Sequence, residues 1–140
     1  MGNRFTKMSA AGELLADDAE AWGAVLDNTT NLIWDAGESS KSMTWKKALE
    51  YPKVGLAIGG FTDWRLPTVE ELFCLADRTK FNPAIDTAFF PKCKGDWYWS
   101  STVDASSPGD YAWLVSFDGG GALYYHQDFE GLVRAVRARQ

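Results

Sequence analysis

A chain of 140 residues with one histidine and two cysteines has little with which to build a metal centre or a nucleophile–base pair. Cys74 and Cys93 allow at most one bridge, and neither lies in the C-x-x-C spacing of a zinc or redox motif. No acidic ladder has EF-hand spacing. No G-x-S-x-G elbow accompanies the lone His126, and Asp118-Gly119-Gly120-Gly121 lacks the Lys-Ser/Thr of a phosphate loop. Apolar runs long enough for a membrane helix are missing, and the opening residues carry no continuous apolar segment of a secretory signal. Met1-Gly2-Asn3-Arg4-Phe5-Thr6 does fit the N-myristoylation spacing, a pattern short enough to arise by chance. Basic residues are outnumbered, 14 Lys and Arg against 19 Asp and Glu, and no stripe gathers them. The net charge of −5 therefore argues against a nucleic-acid partner.

What the chain does have is rings. Aromatic residues make up 14% of it, with 7 tryptophans, and such side chains suit both a small core and a ligand platform because they bury much area with few torsions to freeze. A hydrophobic fraction of 46% supports one core without staples, so residues 1–140 read as a single domain. Within it, 1–20 form an N-terminal arm or edge element and 21–138 the domain proper. "AWGAVLDNTTNLIWD" predicts a hairpin, with strands at Trp22–Leu26 and Leu32–Trp34 around a turn-forming Asp27–Asn31. "MTWKKALEY" predicts a short helix ended near Pro52, with Trp45, Ala48 and Leu49 on one side. Thr68 followed by Glu71 is a capping box for a second helix, whose inward face would be Leu72, Leu75 and Ala76. Later the pattern turns to strands. "DYAWLVSF" alternates, "DGGG" is a hairpin turn, "ALYYH" returns beside it, and "LVRAVR" closes the chain. Two early helices and a β-rich second half define an α+β class.

Each residue suited to catalysis has a simpler structural reading. His126 could pair with Ser100 or Ser101, but those serines sit in a Trp-rich core context. Asp17-Asp18 reads as solvated, and Glu70-Glu71 lies in a first helical turn, where acids favour the helix dipole. Cys74, between apolar helical residues, reads as a buried inert thiol. Cys93, flanked by Lys92 and Lys94, is the more reactive candidate, since nearby cations lower a thiol pKa. No constellation assembles, so no catalytic residue, metal site or cofactor is expected.

"GGFTDWRLPTVEEL", followed by "AIDTAFFP", "YWSST", "AWLVSF" and "LVRAVR", and preceded by "VLDNTTNLIW", resembles the Lcl C-terminal domain family, named for a collagen-like adhesin of Legionella. The family usually has Gly where Asn31 stands. The resemblance runs from Trp22 to Arg137. It implies a C-type-lectin-like fold, with two short helices packed on a twisted antiparallel sheet and long loops. Similar domains occur on bacterial surface proteins and in phages, and relatives of the fold include variable proteins of diversity-generating retroelements. Formylglycine-generating enzymes are also related, but the closely spaced C-terminal cysteine pair of that activity is missing here. Family members often have a cysteine after the first helix and another between the last two arginines; Pro52 and Ala135 stand at those positions. Loss of both together fits a reducing compartment, hence a phage component or a cytoplasmic protein made without a signal peptide. The Glu-Pro-Asn, Gln-Pro-Asp and Trp-Asn-Asp calcium motifs of lectins are absent too.

With that resemblance, "DWRLP" reads as a structural lock. Trp64 would fill the core between helix and sheet, Arg65 would tie down loop carbonyls or an acid, and Asp63 would cap a turn or pair with Arg134 or Arg137. Trp34, Trp99, Ser100, Trp113 and Arg134 belong to the same structural group. Outside it, Trp97, Asp110, Tyr111, Tyr124, Tyr125, His126 and Asp128 are the residues suited to bind a ligand. On a strand Tyr124 and His126 share one face and Tyr125 takes the other. The expected function is non-enzymatic recognition of a cell-surface glycan or protein, as an adhesin-like phage or variable protein, with a homo-oligomer as a possible partner state. The alternative is a structural subunit of a virion or surface assembly.

Overall fold

The structure, a computed structural model, describes residues 4–54 and 60–139. The first three positions of the myristoylation pattern lie outside them. β1 (Phe5–Met8), β2 (Ala24–Asp27), β3 (Leu32–Asp35) and β7 (Val136–Ala138) form a four-stranded antiparallel sheet in the order β1-β2-β3-β7. The hairpin of β2 and β3 stands where the sequence places it. Its turn closes through Asn31, whose φ of +62° is the left-handed conformation that asparagine tolerates and that a glycine would meet more easily. The N-terminal arm contributes the edge strand β1.

β4 (Trp97–Val103), β5 (Tyr111–Ser116) and β6 (Ala122–His126) make a second, three-stranded sheet. The single sheet expected is therefore two antiparallel sheets. The closing "LVRAVR" strand is also shorter than its pattern suggests. Only Val136–Ala138 join β3, while Leu132 leaves to bridge Tyr98 of β4, so this segment ties one sheet to the other. The β5–β6 turn needs its glycines at one point. Gly120 has φ of +88°, and a Cβ there would lie 2.8 Å from the Arg78 side chain, whose Nη2 donates to the Gly120 carbonyl at 2.7 Å.

α1 (Trp45–Glu50) runs into a 3-10 turn, Tyr51–Lys53, with Pro52 in its first turn, where a missing N–H costs nothing. α2 (Val69–Leu75) starts on the predicted capping box: Glu71 N–H donates to Thr68 Oγ1 at 3.2 Å and Thr68 N–H to Glu71 Oε1 at 2.9 Å. Leu72, Leu75 and Ala76 enter the main core with Trp34, Phe90, Tyr98, Val115 and Phe117. That orientation puts Cys74 on the outer side of α2. It is exposed, not buried as its apolar neighbours suggested, because a 3.6-residue period turns position 74 away from a face set by 72, 75 and 76.

Trp64 requires a second correction. It is buried with Met8, Ala24, Leu26, Ile33 and Ala135, on the face of the four-stranded sheet opposite to the one α2 covers, rather than between helix and sheet. The cause is the neighbouring Arg65, which exchanges backbone hydrogen bonds with Val136 and lays this segment along β7. Asp63 settles its two candidate partners in favour of Arg137, with Nε to Oδ1 at 2.6 Å and Nη2 to Oδ2 at 3.1 Å. That guanidinium holds the Asp63 carboxyl below its usual range. Arg65 grips Glu71 through two bonds of 2.8 Å. Burial pushes the Glu71 carboxyl up, but Arg65 and the Thr68 bonds outweigh it and hold it down.

The guanidinium that ties loop carbonyls together is that of Arg134. It is 1% exposed and donates to the Asp35 and Gly37 carbonyls at 2.7 and 2.8 Å and to Glu38 Oε1 at 2.8 Å. Tyr98 donates to the same Glu38 oxygen at 2.6 Å. The Tyr98 hydroxyl lies 3.6 Å from Cys93 Sγ. Cys93 is thus buried, and burial pushes its thiol up; the flanking lysines do not make it reactive. Both cysteines are free. Among the other structural residues, Trp99 Nε1 donates to the Met43 carbonyl at 2.8 Å and Ser100 Oγ to the Trp113 carbonyl at 2.7 Å.

Candidate ligand-binding face

β5 is the middle strand of its sheet, so cross-strand register decides which late residues meet. Tyr111 lies opposite His126 and Trp113 opposite Tyr124, and directly opposed residues share a face. The rings are in contact: Tyr111–His126 at 5.0 Å between centroids, Tyr111–Tyr124 at 6.0 Å and Trp113–Tyr124 at 5.2 Å, tilted or edge-to-face throughout. Further along the same face Val115 and Tyr98 are fully buried beneath α2. The ring row is the part of that face which α2 does not reach. Tyr124 keeps 50% of its surface exposed.

At the margin of α2, the row opens into a groove of about 350 Å³ between Val69, Phe73, Thr102, Trp113 and Ala122. Phe73 is exposed on the outer side of α2 and carries the Arg78 guanidinium over its ring at 3.5 Å. Thr102 Oγ1 accepts from Val69 N–H at 3.0 Å, which fixes the helix start against β4. At the opposite end, Asp110, His126 and Asp128 surround a smaller cleft of about 190 Å³ beside Thr44 and Lys46. His126 Nδ1 and Asp128 Oδ2 are 3.9 Å apart, both well exposed, so any attraction between them is strongly screened.

Five of the seven predicted ligand residues are therefore brought together, Tyr111, Tyr124 and His126 in the row and Asp110 and Asp128 beside it. The other two are not. Trp97 and Tyr125 belong to the opposite face, Trp97 packed on the core around Trp99 and Leu114 and Tyr125 edge-on to Phe129 at 5.1 Å. Trp113, grouped with the structural residues in the sequence, is half-buried and central to the row. Phe73 was missed. The period of α2 could have shown it pointing outward, but nothing in the sequence says that this flank adjoins Trp113. Another cleft, of about 400 Å³, lies elsewhere, between Trp22, Asp35 and Lys92. Burial raises the Asp35 carboxyl there.

Among the described residues no cluster of three or more His, Cys, Asp or Glu side chains is arranged to hold a metal ion, and no helix is long and apolar enough to cross a membrane. The architecture is an α+β domain with two short helices, two antiparallel sheets and an uncovered aromatic face. The family model of the Lcl C-terminal domain matches residues 23–137, and the chain belongs to that family. No curated protein matches it.

Proposed function

We propose that this protein is a non-enzymatic recognition module that binds a cell-surface ligand, glycan or protein, on the Tyr111–Trp113–Tyr124–His126 face. The observation that carries the proposal is that row of contacting rings, left open to solvent on a rigid sheet and continued by the Phe73 groove. Rings stack on apolar sugar faces or pack on protein surfaces, and the flanking Asp110, His126 and Asp128 supply directional hydrogen bonds. A C-type-lectin-like scaffold and a phage or variable-protein setting belong to the same proposal. Motifs such as the Trp99 and Ser100 anchors support it by holding the strands while the face is free to vary.

The test is a glycan-array and whole-cell binding screen with the wild type and a Tyr124→Ala/His126→Ala double variant. Specific binding that disappears in the variant, with circular dichroism unchanged, is expected. Binding that survives the double substitution refutes this face as the site. A protein that binds no glycan and no cell instead belongs to a structural assembly.

A further inference from the structure

A sheet has to cover or pair its edges, because an edge strand offers unpaired N–H and C=O groups to any other strand. Among the described residues, three of the four sheet edges are closed by the chain itself. Outside β1, Leu15 N–H donates to the Lys7 carbonyl and Met8 bridges Leu14. Outside β7, Arg65 and Val136 exchange backbone bonds of 2.9 Å. Outside β4, Leu132 bonds to Trp97 and Trp99. β6 has no such cover, and all of its residues are exposed.

The backbone groups on that bare edge are identified by the register. Ser116 N–H donates to the Gly121 carbonyl and Gln127 N–H to the Asp110 carbonyl. Odd-numbered residues of β6 therefore turn their backbone toward β5, and Ala122, Tyr124 and His126 turn theirs outward. The His126 carbonyl accepts from Phe129 N–H in the turn that ends the strand. The outward groups of Ala122 and Tyr124 and the N–H of His126 have no partner among the described residues. None of the usual guards is present either: Ala122–His126 contains no lysine, no proline and no charged carboxylate, and it pairs with β5 without a bulge. Leu123, Tyr124 and Tyr125 are among the large apolar side chains left exposed.

We propose that β6 is a self-association surface, pairing antiparallel with β6 of a second copy about a two-fold axis at Tyr124. In that register Tyr124 faces the second copy's Tyr124, and their N–H and C=O groups satisfy one another in both directions. His126 N–H meets the Ala122 carbonyl of the other copy, again in both directions. A one-residue slip sets outward groups against inward ones, and a two-residue slip leaves part of the edge unmatched, so the strand is complementary to itself in one register. Asp128 falls opposite Gly120, and Ala122–His126 carries no carboxylate, so no like charges meet within the paired strands. The product is one continuous sheet in which two aromatic faces lie side by side, doubling whatever those faces bind. A contact of one short strand is small, so association is weak, with a Kd on the order of 10–100 μM. Because each copy carries −5, salt strengthens it.

Sedimentation velocity on the chain alone tests this, across a wide concentration range and at two salt levels. A reversible monomer–dimer equilibrium strengthened by salt is expected. Tyr124→Lys and Tyr124→Glu each place like charges face to face on the axis and weaken self-association about tenfold or more, whereas an equimolar mixture of the two variants forms a heterodimer. In the wild type, amide exchange at Tyr124 and His126 slows as concentration rises, a readout that needs no variant to fold. A monomer at the highest concentration, or a dimer that both variants and these amides leave unchanged, overturns the pairing. Without ligand present, the result is separate from the recognition proposal: a monomer that still binds cells overturns only the pairing, and a dimer that binds nothing overturns only the recognition.

Discussion

Replacing Arg134 by methionine keeps much of the side chain's length while removing its charge and its donors. Arg134 and Glu38 are 1% and 5% exposed at the side chain, so solvent does not screen their attraction. Breaking one side of such a buried pair costs about 3–5 kcal/mol, because the remaining charge has nowhere to go. The Asp35 and Gly37 carbonyls lose a donor as well, at about 1 kcal/mol each. Against this, Glu38 has an escape: burial already pushes its carboxyl above the ordinary 4.5, and without Arg134 it takes up a proton more readily. A net loss of about 4 kcal/mol at neutral pH is expected, a large part of the 5–15 kcal/mol that holds a typical domain together. The sign with pH follows from the direction of the shift. A carboxyl whose folded pKa is raised favours the fold below its unfolded pKa and loses that contribution as pH rises through the folded value. The Arg134→Met penalty should therefore shrink in urea titrations as pH falls toward 4.5. Adding Glu38→Gln should recover roughly half of the loss at neutral pH, since no charge is then left buried. A loss below about 1 kcal/mol, or one that grows in acid, would refute the argument.

Two further outcomes are expected. A thiol reagent should label Cys74 quickly in the native protein and Cys93 only on unfolding, since Cys74 is exposed while Cys93 is buried beside Tyr98 with its thiol pKa raised; mass spectrometry of the labelled peptides reads this, and preferential labelling of Cys93 contradicts it. Thr68→Ala should cost about 1 kcal/mol of urea stability and Glu71→Ala more, because the Glu71 carboxylate caps the helix and holds Arg65 as well. Equal losses would mean that the Arg65 pair, which is partly exposed, contributes nothing measurable.

What could be read from the sequence was local. The hairpin around Asn31, the capping box at Thr68 and the alternation that joins β5 to β6 each involve residues within a few positions of one another. Their chemistry acts over that distance. Periodicity also showed that Tyr124 and His126 share a face, because a strand's side chains alternate whatever packs above them. It did not show what covers a face. Val115 and Trp113 have the same parity on β5, yet one is fully buried under α2 and the other forms part of an open row.

By itself, then, the sequence determined the local elements and the supply of rings. The tertiary structure decided which residues became partners and which surfaces stayed open. Asp63 finds Arg137 and Arg134 finds Glu38 across 74 and 96 positions, where no local pattern distinguishes one arginine from another. Cys74 and Cys93 exchanged their expected environments because burial depends on what packs over a residue, not on its neighbours in the chain. The aromatic face and the bare edge of β6 exist for the same reason: α2 ends short of the one, and no returning segment among the described residues reaches the other.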